Sequence, residues 1–237
     1  MIISLTMASC MGTVGAKRPL GPIYNGPVSA DALTGRIAFS SVPGLRAGIN
    51  ARLWQGNRSV GAFKGALVMR PPDDMRVVLY NSFGTTVMDI VRADGRLEAY
   101  LPSKDAMYMG DAPSMMPPAG ARMVLESRDG AHYLYAMQGG SAVREYAFDK
   151  RSAMNTRARV IAQGGPFMEA EFGDYPFQNT PAHASYIPGT VVLRYGRGFR
   201  LEFSIEEPET GEVPPRLIPL GRDAANIFDI SALDAAE

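Results

Sequence analysis

The 237-residue sequence predicts a mainly β fold, a single antiparallel sheet of about eleven strands with very little helix. Three observations predict it. Short apolar runs recur between turn residues from about residue 45 to 209, the spacing of strands rather than helices. Several runs alternate with period two, as in 96–101, where Leu97, Ala99 and Leu101 share one face and Glu98 and Tyr100 the other, wetter one. The links are too short to carry a chain across a sheet to a parallel neighbour, so consecutive strands form an antiparallel meander.

The elements follow in order. Residues 1–27 form an uncharged apolar start, then Cys10, then a Gly- and Pro-rich tether. Met7, Ala8, Ser9 and Cys10 resemble a bacterial lipobox, in which the cysteine receives a diacylglycerol. As the sole cysteine, Cys10 forms no internal disulfide, and its simpler reading is a small core residue. The stretch "VSADALTGRIAFSS" (28–41) predicts a short amphipathic helix capped by Ser29 or Asp31, with Val28, Ala32, Leu33 and Ile37 on one side and Gly35 weakening it. Strands are then predicted in "RAGINARLWQ", "SVGAFKGALVMR", "DMRVVLYN", "TTVMDIVRA", "RLEAYLP" and "DAMYMG". Three prolines make 111–122 a loop or a short bounded helix. Strands resume in "HYLYAMQ", "VREYAFD", "TRARVIAQ" and "FMEAEFGDY"; an irregular connection spans 175–188, and 189–209 forms a hairpin turning at Gly196 to Gly198. Residues 28–220 thus make one domain, followed by an acidic tail, 221–237.

Composition excludes several functions. Lys plus Arg and Asp plus Glu are 24 each, so no basic excess attracts nucleic acid. No run of 18 apolar residues provides a spanning helix. His132 and His183 have no partner at metal-ligand spacing, so no metal or cofactor is expected. There is no Gly-x-Ser-x-Gly elbow, and "YGRGF" lacks the third glycine of a dinucleotide loop. Glu169 and Glu171 share a strand face about 7 Å apart, a separation that glycosidases use, but a solvated strand face is the better reading of the pair. A hydrolase would need a cleft joining these glutamates or His132. The 14 methionines, among them Met69, Met88, Met107, Met109, Met137 and Met168, are either core filler or an adaptable apolar surface. A sheet with one apolar face and little helix to cover it leaves room for a ligand.

The segment "GALVMRPPDDMRVVLYNSFGTTVMDIVRADGRLEAYLPSKDAMYMG" (65–110) resembles the bacterial lipoprotein-localisation (LolA/LolB) family, closest to its outer-membrane receptor branch. Weaker similarity runs on to "LEFSIEEPETGEVPPRLIPL" (201–220), so the resemblance spans most of residues 45–220. It implies a strongly curved, incomplete barrel whose concave apolar face is covered by short helices and receives acyl chains, with no catalytic residue. Expected cavity-lining residues are Leu53, Phe63, Leu67, Met69, Leu79, Met88, Ile90, Leu97 and Leu101. The resemblance also implies an exposed apolar loop residue, here Phe83, although Ser82 replaces the family's proline and the acidic tail has no counterpart. Function is then expected to be binding of acyl chains or lipidated proteins by an outer-membrane lipoprotein of a Gram-negative bacterium. It would be anchored through Cys10 on the periplasmic face, with a periplasmic carrier as a possible partner and no nucleic acid. The alternative is an accessory lipoprotein that uses the same fold, with a filled concavity, for protein interaction.

Overall fold

The computed structural model describes residues 23–72, 74–162, 165–175, 186–196, 198–218, 221 and 223–230. Apart from one short helix, α1 (Ala30–Thr34), and two 3-10 turns, the regular structure among the described residues is strand: β1 (Leu45–Gln55), β2 (Arg58–Arg70), β3 (Asp74–Tyr80), β4 (Thr86–Ala93), β5 (Arg96–Leu101), β6 (Ala106–Asp111), β7 (Arg122–Arg128), β8 (Ala131–Gln138), β9 (Ser141–Asp149), β10 (Asn155–Ala162), β11 (Gly165–Gly173), β12 (Thr190–Tyr195), β13 (Phe199–Thr210) and β14 (Asn226–Asp229).

These form one sheet in the order β14-β6-β5-β4-β3-β2-β1-β13-β12-β11-β10-β9-β8-β7. Two meanders, β1 to β6 and β7 to β13, are zipped together where β1 pairs antiparallel with β13, in the register Ile49↔Ile205 and Leu53↔Leu201. The sheet has 14 strands rather than about eleven, and it is mixed, because β14 runs parallel to β6. The two strands not anticipated are β7 and β14. Both are edge strands without a fully buried face, so neither carries the clear apolar alternation of an inner strand. The helix is shorter than the predicted 28–41: Ser29 Oγ accepts from the Ala32 N–H at 3.2 Å, and the helix stops at Gly35.

The sheet curls strongly. The Tyr195 hydroxyl on β12 donates to the Asp111 carbonyl at the end of β6 at 3.3 Å. The two strands are seven steps apart in the sheet order, on the order of 30 Å if the sheet were flat. The largest core cluster fills the resulting concavity with Leu45, Ile49, Leu67, Val77, Leu79 and Leu201, each 1% exposed or less. Close approach here requires glycine at Gly65, where an added Cβ would lie 2.5 Å from the Val78 carbonyl oxygen. A second cluster packs Leu33 and Ile37 onto Leu134, Tyr146, Phe148 and Ala158 beneath the β7–β10 half.

The convex face carries two different surfaces. Across β9 to β12, Arg157 and Arg159 pair with Glu145, Arg159 with Glu169, and Arg194 with Glu169 and Glu171. Across β3 to β5, the face expected to be wet is covered instead. Val213 and Ile218 pack on Val91 and Ala93, and Glu98, 3% exposed, accepts from the Gly221 N–H at 2.9 Å. The Pro-rich exit after β13 therefore crosses the outside of the sheet. It brings β14, from the segment assigned to the acidic tail, into the sheet edge, where Phe228 stacks on Tyr108 at 5.3 Å.

Candidate ligand cavity

On the concave side, β2, β3 and β4 come to face β10 to β13 across an apolar cavity of about 100 Å³. Met69 and Met75 border it from a cross-strand pair of β2 and β3, and Met168 and Phe172 from β11 opposite. Arg92 on β4 and Phe203 on β13 complete the floor with small residues such as Ala158 and Ala170.

Two segments roof the cavity. The first is the turn after α1, which contributes Ile37, Ala38 and Phe39. Phe39 adopts φ 66°, a left-handed conformation unfavourable for a bulky residue, and its ring meets Phe172 edge-on at 6.2 Å. Arg36 holds this segment down. Its guanidinium lies between the rings of Tyr24 and Tyr186, 4.3 and 4.4 Å from their centroids. It donates to the Ala153 carbonyl at 2.9 Å, the Ser152 carbonyl at 3.1 Å and the Tyr186 hydroxyl at 2.6 Å. The Ala38 N–H donates to Asn155 Oδ1 at 3.2 Å.

The second roof segment is the loop between β6 and β7, which contributes Met115 and Met116. Three side chains reach its carbonyls: Arg92 donates to Ala112 at 3.0 Å, Arg144 to Ser114 at 2.6 Å, and the Tyr146 hydroxyl to Met115 at 2.7 Å. Arg92 is on β4 and the other two are on β9, so the loop ties the two halves of the curled sheet together.

All nine residues expected to line the cavity fall in one place. Leu53, Leu67, Leu79, Met88 and Ile90 are buried in the concave core, and Phe63, Met69, Leu97 and Leu101 pack half-buried against it. Of the nine, Met69 borders the cavity itself; the remainder of the wall comes from β3, β4, β10 to β13 and the roof. Phe83 is 90% exposed. Its turn is fixed by Asn81, whose Oδ1 accepts from the Phe83 and Thr85 N–H groups at 2.9 and 3.0 Å. This turn follows the end of β3, whereas Met75 borders the cavity from the start of the same strand, so Phe83 and that side of the cavity lie at opposite ends of the sheet. Cys10 and His183 lie outside the described residues.

Of the residues considered for hydrolysis, Glu169 and Glu171 are bridged by Arg194 on the convex side, and His132 is not brought to them. Glu169 lies between Met168 and Ala170, which face the cavity, so it points to the convex side into the arginine ladder. His132 is in phase with buried Leu134 and Ala136 on the concave side, with its Nδ1 2.7 Å from Ser127 Oγ. Burial holds the His132 imidazole below its usual range, Lys150 adding to this and Asp149 opposing it. An unfolded histidine takes up a proton below about pH 6.5 while the folded one stays neutral. Its contribution to stability is therefore complete above that pH and is lost as pH falls toward the folded value. Urea midpoints measured at about pH 7.5 and 5 are expected to differ less in His132→Gln than in the parent chain; an equal difference would contradict this.

No family model matches the sequence, and no curated protein matches it with significance. Among solved structures, a LolA superfamily protein from Nitrosomonas europaea superimposes with a TM-score of 0.53 at 10% identity, covering 82% of this chain and 99% of that one. A domain from Vibrio parahaemolyticus described as an outer membrane lipoprotein-sorting protein gives a TM-score of 0.49 at 11% identity, covering 76% of this chain and 90% of that one. The open, curled sheet of this chain thus shares the fold of that LolA superfamily protein.

Proposed function

We propose that the protein is a non-enzymatic lipoprotein of the bacterial envelope that takes acyl chains, free or attached to a lipidated protein, onto the concave face of its sheet. The observation that carries this reading is the apolar cavity beneath two separate roof segments. At about 100 Å³ it is smaller than the roughly 150 Å³ that admits benzene, so an acyl chain enters as the roof lifts. Methionines suit such a site because their unbranched side chains repack around different shapes. Each methylene buried contributes about 0.8 kcal/mol, enough for useful affinity without polar contacts.

The lipobox-like run ending at Cys10 supports anchoring at the outer membrane, with the folded body on the periplasmic side. Phe83, exposed at one end of the sheet, gives that body an apolar contact for a membrane or for a carrier delivering its cargo. Mass spectrometry of membrane-extracted protein is expected to find Cys10 carrying diacylglycerol; an unmodified Cys10 in that fraction would remove the anchor.

The binding test uses the full chain and the neutral fluorophore N-phenyl-1-naphthylamine. Saturable enhancement displaced by 1-hexadecanol is expected. Absence of saturable binding by protein whose circular dichroism shows an intact β fold would overturn the acyl-binding reading. That result would favour the second reading, an accessory lipoprotein acting through protein contacts, for which the small volume of the cavity already speaks.

A further inference from the structure

The edge strand β14 is the shortest of the described strands and makes their one parallel pairing, the less stable kind per residue. All four of its residues are exposed, Ile227 to 65% and Phe228 to 43%. Blunting the edge of β6 would take no more than a charge or a proline, yet β6 offers β14 two shaped seats on the concave side. The Tyr108 ring takes Phe228 in a stack at 5.3 Å. Two residues on, Gly110 leaves a hole that Ile230 fills, so that an added Cβ would collide with Ile230 Cγ2. Ile230 is 6% exposed and belongs to the concave core cluster. Backbone bonds flank the seats: the Asn226 N–H donates to the Asp105 carbonyl at 3.2 Å and the Ile230 N–H to the Met109 carbonyl at 2.8 Å. Glycine inside a strand weakens it, and it marks a place where another chain segment approaches closely. Main-chain bonds with pockets for alternate side chains are what a strand-addition site offers an extended peptide. β14 shows which peptide fits: an aromatic residue, any residue, then a branched aliphatic one.

We propose that the edge of β6 is a docking site for an extended segment of a protein partner with that aromatic-x-aliphatic pattern, and that β14 is its intramolecular competitor, closing the site until the partner displaces it. β6 leads directly into the loop that roofs the cavity, so the docked segment lies beside the roof. This goes beyond the acyl-binding reading and does not depend on it.

The test follows the fluorescence anisotropy of a labelled peptide, DAANIFDIS, the chain's own residues 223–231, titrated with the full chain. In the parent chain β14 competes and binding is weak. In Ile230→Ser the tail loses its hold, and the peptide is expected to bind about tenfold more tightly or better, because the competent fraction rises by that factor. The same peptide carrying Phe228→Ser and Ile230→Ser should bind neither protein, and Gly110→Val, which fills the hole, should abolish binding of the native peptide. Equal affinity of the parent and Ile230→Ser, both folded by circular dichroism, overturns the proposal. So does a serine peptide that binds as well as the native one, or undiminished binding by folded Gly110→Val. Dimers of the parent chain that the peptide dissociates would make a second copy the occupant and overturn the assignment to a partner. Should Ile230→Ser not fold, Phe228→Ser, at a residue already 43% exposed, takes its place. N-phenyl-1-naphthylamine binding measured on the same samples decides the acyl-binding reading separately.

Discussion

Arg76→Ala is expected to destabilise the fold by about 3 kcal/mol, a loss characteristic of removing one partner from a buried ion pair. Arg76 on β3 donates Nε to Asp89 Oδ1 at 3.0 Å and Nη2 to Asp89 Oδ2 at 2.7 Å. The Asp89 side chain is 2% exposed and that of Arg76 23%. The pair lies on the convex face under the C-terminal crossing, where Arg76 also donates to the Leu217 carbonyl at 3.4 Å. The bond to Asp89 raises the Arg76 pKa above its ordinary value despite burial, so the guanidinium stays charged throughout the accessible range. Alanine leaves the Asp89 carboxylate covered without its bidentate partner, and it loosens the segment that shields it. With a urea dependence of about 2–3 kcal/mol/M, the unfolding midpoint should move down by roughly 1 M. The double variant Arg76→Met/Asp89→Val is expected to recover most of this, because apolar groups of similar size remove the desolvation problem along with the attraction. A single variant within a few tenths of a kcal/mol of the parent would show that the pair is solvated.

This buried pair also marks the limit of what the sequence made legible. Strand positions follow from local alternation: β1 reads as Leu45, Ala47, Ile49, Ala51 and Leu53 inward, and all five are buried. The same rule assigns Glu98 to an outer face, correctly, yet says nothing of what covers that face. Its cover comes from Val213, Leu217, Ile218 and Gly221, more than a hundred positions away. The cavity is illegible for a related reason. Met69 on β2 and Met168 on β11 stand four steps apart in the sheet order and follow no shared local pattern; they line one cavity only because the sheet curls. One element of the site did have a local signal. Arg92 falls in phase with Met88 and Ile90, and a charge on an otherwise apolar strand face points either to a roof contact or to a ligand. The exposure of Phe83 was expected from the family resemblance and not from its turn, since a turn fixed by Asn81 leaves open whether the aromatic folds back on the sheet.

Tyr146→Ala should cost about 4 kcal/mol, whereas Tyr146→Phe should cost about 1 kcal/mol and separate packing from roof pinning. Tyr146 is fully buried in the second core cluster, against Leu33, Leu134 and Phe148, so its ring supports α1 and the first roof segment. Its hydroxyl bonds the Met115 carbonyl of the second roof segment at 2.7 Å. Alanine removes both functions and leaves a void beneath the helix. Phenylalanine keeps the ring and removes one of the three side-chain bonds to the loop. Two consequences follow for that variant. Hydrogen exchange should rise at Met116 and Ala121, whose N–H groups bond only within the loop, to Ser114 Oγ and the Pro118 carbonyl. It should stay unchanged at the β1 amides paired with β13. If the open-roof state is what admits acyl chains, raising its population by about 1 kcal/mol tightens the apparent affinity for N-phenyl-1-naphthylamine up to about fivefold. Faster exchange with unchanged affinity would place the entry route at the Ile37–Phe39 side of the roof, and the variant to make there is at Arg36, which holds that segment to Ser152 and Ala153.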